Sequence, residues 1–85
     1  MPYITQQKRK DFMTGNGMME SSGDLNFVLT KVCLEYIENK KESYQTYNDI
    51  VGALECCKLE MYRRAIAPYE DKKIIENGDL PEYSK

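Results

Sequence analysis

The sequence predicts an all-α protein: a helical hairpin of two main helices with short terminal helices, completed by self-association. Two apolar patterns carry this reading. Leu25, Val28, Leu29, Val32, Tyr36 and Ile37 recur at three- and four-residue steps over residues 24–40. A second stripe, Tyr47, Ile50, Val51, Leu54, Met61 and Ala65, follows the same spacing from Ser43 onward, with the Lys58 stem filling one step. A charged turn at residues 39–42 separates the two.

The first segment, residues 1–23, reads as an arm and a loop. Thr5 is placed to cap a short helix over residues 6–12. Tyr3, Ile4 and Phe12 are apolar groups for docking this arm on something else. TGNGMMESSG, residues 14–23, carries three glycines, an asparagine and two serines, which favours a loop. Met18 and Met19 within it are adaptable enough to fill a partner groove.

Residues 24–79 are the expected helical core. Ser22 or Asp24 is the expected cap of the first main helix. Phe27, Cys33 and Leu34 widen its apolar arc beyond one face, which calls for burial on more than one side. Ser43 opens the longer helix. Gly52 inside it costs about 1 kcal/mol relative to alanine, a cost explained if another helix passes closely. Pro68 either kinks this helix or ends it; in the second case residues 69–76 form a new short helix, stopped by Asn77–Gly78. Residues 80–85, with Pro81, read as a flexible tail.

Size argues for assembly. A single domain of 85 residues buries little of its surface and is marginal as a monomer. The three cysteines, Cys33 and the adjacent Cys56 and Cys57, are expected as reduced, small core residues. With no histidine and no CxxC, neither a metal site nor a cofactor is expected, and a Cys–His nucleophile is excluded within one chain. No carboxylate pair stands out as an acid–base couple, so the reading is not an enzyme. A net charge of −2 argues against nucleic acid as a partner. No apolar run approaches the ~18 residues of a membrane span, so a cytoplasmic protein is expected.

Binding is the remaining class. Arg63 and Arg64 lie about 100° apart on a helix, so they point in different directions. In one reading Glu60 pairs with Arg64 and Glu55 with Lys58 on a solvated face. In the other, an arginine fork, Arg64 first, takes a phosphate or carboxylate while Tyr62 or Tyr69 stacks on a planar group and Lys72 and Lys73 add charge. Tyr44 and Tyr47, at the start of the long helix, stand near backbone N–H groups open to an anion. Seven tyrosines without a tryptophan suit interfaces and ligand pockets equally.

The blocks DLNFVLTKVCLEYI and YNDIVGALECCKLEMYRRAIAPYEDKKIIENGD resemble a family of small uncharacterised phage and bacterial proteins. That family's pattern is a GELNY-type helix start followed by an LECAKLEFYRR…PYED…NGD-type ending. The MTGNGMMESSG segment departs from it. ALECCKLEMYRRAIAPYED is also similar to the last helix of viral cyclic-nucleotide sponges, small helical oligomers that sequester the signals of antiphage defence. In that alignment Tyr62, Arg64, Ala65 and Pro68 fall on comparable residue types. The implied function is sequestration of a small anionic, nucleotide-like signal by a phage-type homo-oligomer in the host cytoplasm. The alternative is a protein–protein interaction module or a structural assembly component.

Overall fold

A computed structural model describes residues 4–84; Tyr3 lies outside them. Helix α1 spans Gln6–Met13, α2 Ser22–Lys40 and α3 Tyr44–Met61. A π-helical turn follows at Tyr62–Ile66, then α4 at Ala67–Asn77 and a 3-10 turn at Pro81–Tyr83. The architecture is all-α among the described residues. The chain falls into two compact units, Met1–Ile50 and Val51–Lys85.

The caps explain most boundaries in the first unit. The Thr5 hydroxyl accepts the Lys8 N–H at 3.1 Å and starts α1. Helix α2 begins on Ser21, one residue before the expected caps, and its hydroxyl accepts the Asp24 N–H at 3.1 Å. Asp24 has another task. Its carboxylate accepts the Glu20 N–H at 2.9 Å and faces the Lys8 ammonium at 3.7 Å. A buried side chain in the first turn thus ties the loop and α1 to α2. Lys41 ends α2 with a φ of 74° and donates its N–H to Ile37 O. Thr46, also buried, closes the following turn: its N–H donates to the Ser43 hydroxyl and its hydroxyl to Lys41 O. Tyr36 then donates to Asp49 at 2.9 Å, joining α2 to the start of α3.

The core of this unit is small. Ile4 and Phe27 are its buried apolar side chains, and the Phe12 and Phe27 rings meet at 5.9 Å. Gly17 is needed beside them, since a Cβ there would lie 2.5 Å from the Phe12 ring. Leu25, Leu29, Val32 and Leu34 remain exposed, because α1 is only two turns long and covers a fraction of the wide arc.

The second unit buries less still. Every described residue in it is exposed except Ala67, which is half-buried. Cys56 and Cys57 are therefore surface thiols, contrary to the expected core positions, while Cys33 is half-buried. Space around Gly52 is open: nothing lies within 4 Å of where its Cβ would stand, so no close helix explains it within the chain. Gly78, at φ 83°, caps α4 through its N–H to Ile74 O, as Asn77–Gly78 predicts. The expected tail instead carries a 3-10 turn whose Tyr83 N–H donates to Leu80 O.

Acid is expected to loosen the first unit. The Glu20 N–H above all, then the Lys8 charge and the Ser21 hydroxyl, hold the Asp24 carboxyl below the ordinary carboxylate range against the opposing cost of burial. A folded-state pKa below the unfolded one stabilises the fold above the unfolded value. That contribution is lost as pH falls through the folded value. Hydrogen-exchange protection between α1 and the first turns of α2 is expected to fall as pH drops below about 4, the range in which an unfolded Asp carboxyl takes up its proton. In Asp24→Asn the protection is expected to be lower at neutral pH and nearly independent of pH. An unchanged acid response in that variant would refute the assignment.

Candidate binding surface at the π-helical turn

Pro68 creates the local geometry. Proline has no N–H to give, and its ring presses on the carbonyl four residues earlier, here that of Arg64. The helix neither stops nor breaks. It widens, so that the Ala67 N–H reaches back five residues to Tyr62 O. Pro68 then sits in the first turn of α4, where its missing N–H is best tolerated. Such π turns recur at functional sites because they re-aim side chains around a helix.

Five of the seven expected ligand residues cluster here: Tyr62, Arg63, Arg64, Tyr69 and Lys72. Their partners are now defined. Arg64 donates to Glu60 at 3.2 Å in an exposed pair one turn apart. Glu55 and Lys58 form a second such pair at 3.0 Å. The solvated-face reading thus describes both pairs. Arg63 makes no ion pair among the described residues. Glu70 lies near the Tyr62 hydroxyl and, as an acceptor first and a negative charge second, pushes the Tyr62 pKa above the ordinary tyrosine range. Lys73, rather than Lys72, stands over the Tyr69 ring at 5.4 Å and also pairs with Glu76 at 3.1 Å. Lys72 is exposed.

Tyr44 and Tyr47 belong to the first unit. Tyr44 is 83% exposed. Tyr47 donates to Glu42, and that bond raises its pKa first, with burial and charge adding to it. The Ser43 side chain and carbonyl already take the Thr46 and Tyr47 N–H groups, so the start of α3 offers an anion fewer free donors than expected.

Two concavities accompany these residues, one in each unit. Cys56, Cys57, Glu60, Met61 and Arg64 line a shallow groove of about 470 Å³ in the second. In the first unit, a larger groove of about 550 Å³ has Phe12, Met19, Phe27 and Val32 among its apolar walls, with Lys31, Glu35 and Glu38 among its charged ones. The sequence reading missed this groove, although it singled out Met19 as a residue suited to interfaces. Glu70 was also missed as a partner of Tyr62; spacing from Pro68 alone does not reveal partners created by a π turn.

Chemically, the π-turn surface can donate hydrogen bonds and stack. Among the described residues no three cysteine, aspartate or glutamate side chains are placed to hold a metal ion. No described helix is long and apolar enough to cross a membrane. No curated protein and no solved structure matches the chain. Residues 1–80 match the model of the family described as Domain of unknown function (DUF6899), and the chain belongs to that family.

Proposed function

We propose that this protein acts by non-catalytic association, as a helical module completed by further copies of itself. The exposure pattern supports the reading. Ile4 and Phe27 are the buried hydrophobic residues among those described, while twenty large ones, from Met13 to Tyr83, are exposed. Scattered exposed leucines are ordinary in soluble proteins, but this imbalance leaves each unit short of a core. Sedimentation of the purified protein across the micromolar range is the test. A dimer or larger assembly is expected; a cooperatively folded monomer throughout would overturn the reading.

A second reading is favoured by the π turn itself: capture of a small anionic, nucleotide-like ligand, with sequestration of a defence signal in a phage setting as its biological form. An arginine without an ion-pair partner, a second arginine held by a single exposed carboxylate, and two tyrosines lie within eight residues of one helix. Incubation with a panel of nucleotide second messengers, release by heating and mass spectrometry would identify a ligand. Arg63→Ala and Arg64→Ala are expected to differ in calorimetric titration against it. The arginine that meets phosphate is expected to lose roughly 10- to 150-fold in affinity, and the other little. Equal behaviour of both variants would remove this reading and leave association alone.

A further inference from the structure

We infer that the Leu59–Arg63 ridge of one copy seats in the α1–α2 groove of a second copy, with Arg63 meeting Glu35 and Glu38; this rests on the self-association reading above. The groove and the ridge are complementary in polarity and charge.

The groove has apolar walls from three sources: Phe12 and Met13 at the end of α1, Met19 in the loop, and Phe27, Val28 and Val32 on α2. At about 550 Å³ it has room for several side chains. Lys31, Glu35 and Glu38 carry its charge, a net of one negative. Neither glutamate makes an ion pair among the described residues. The Phe12 and Phe27 rings, which both line the groove, pack against each other at 5.9 Å.

The ridge lies in the second unit. Leu59 and Arg63 are four residues apart and share a helix face, with Tyr62 beside them. Leu59 is 56% exposed and Tyr62 50%. Of the other described cations of this unit, Arg64 pairs with Glu60, Lys58 with Glu55 and Lys73 with Glu76, while Lys72, like Arg63, makes no ion pair among the described residues. Arg63 is the arginine left without an anion among the described residues. The groove presents two carboxylates in the same condition. An apolar surface centred on unmatched charge is covered best by one whose charge is opposite, because complementarity selects the partner and fixes its register. A leucine, a tyrosine and an arginine are also residue types able to fill and orient such a groove, the last two being frequent anchors of interfaces. Each chain carries one ridge and one groove, so copies can join ridge to groove.

Charge reversal tests the pairing. Sedimentation or light scattering would be performed on the full chain, on Arg63→Glu, on Glu35→Arg/Glu38→Arg, and on an equimolar mixture of the two variants. Circular dichroism of each would confirm retained helicity, since all three positions are on the surface side of their helices. Each variant alone is expected to associate at least about tenfold more weakly than the parent. The mixture is expected to recover association, because the Arg63→Glu ridge of one chain meets the Glu35→Arg/Glu38→Arg groove of the other, and the remaining native ridge meets the native groove. Arg63→Gln serves as the milder variant should a reversal reduce helicity, and it is expected to weaken association in the same direction. If the parent assembles but Arg63→Glu assembles equally well, or the mixture shows no recovery, the ridge–groove pairing is wrong and self-association by another face stands. If the parent is a folded monomer, both are wrong.

Discussion

Phe27→Ala is expected to unfold the first unit. Phe27 is one of two buried apolar side chains there, and it meets Phe12 at 5.9 Å. Truncating a buried phenylalanine typically costs about 3–5 kcal/mol through lost transfer energy and the cavity left behind. A unit with so little apolar burial has no reserve of that size. The same substitution removes the floor of the groove, so association is expected to fail with the fold. Hydrogen exchange would separate the effects by region. Amides of α1 and the early turns of α2 are expected to exchange at rates near those of an unstructured chain, while α3 beyond Val51 and α4 keep their own rates. Full retention of protection in α1 would show that the Phe12–Phe27 contact does not hold this unit together.

The second large effect is expected at Pro68. Pro68→Ala restores a backbone donor and removes the ring that presses on the Arg64 carbonyl. The π turn at Tyr62–Ile66 then has no cause, and the ladder can return to four-residue bonding. Proline costs up to about 3 kcal/mol in a helix interior relative to alanine. Because the π turn already relieves part of that, local opening across residues 63–68 is expected to become harder by about 1–3 kcal/mol in hydrogen exchange. Losing the extra residue of the wide turn rotates α4 by about 100° against the turns before it. Glu70 then leaves Tyr62, and the Tyr62 pKa is expected to fall back towards the ordinary tyrosine range, which side-chain NMR would follow. A more stable helix with weaker ligand binding would mark the π turn as a functional device. A more stable helix with an unchanged Tyr62 would show that the π turn does not place Glu70.

Much of the local structure was legible in the sequence because local rules govern it. Thr5, Ser43 and Gly78 each mark a helix end through bonds that span only a few residues. The helix over residues 24–40 and the loop before it follow from apolar spacing and from glycine-rich composition. The pairs Glu60–Arg64 and Glu55–Lys58 follow from the geometry of one helical turn. Membership of the family rests on the chain's residues alone.

Burial was not legible, because it depends on what lies opposite a face. A wide apolar arc on α2 signals a surface that needs covering, but only the structure shows that Phe27 is covered and that Leu25, Leu29 and Val32 are not. Asp24 is the converse case: its charge placed it at a helix start, whereas the tertiary contacts with Glu20 and Lys8 made it a buried clasp. The fate of Pro68 was likewise undecided. Kink, stop and π turn all accommodate a missing N–H, and the choice rests on where the Ala67 donor finds an acceptor. The positions of the main helices, the Thr5 cap and the Gly78 stop follow from neighbours within about one turn, whereas the α2 cap fell on Ser21, one residue from where it was expected. Which apolar residues are buried, which charges stay unmatched and where a groove forms depend on residues brought together from distant positions in the chain, and these became visible in the folded structure.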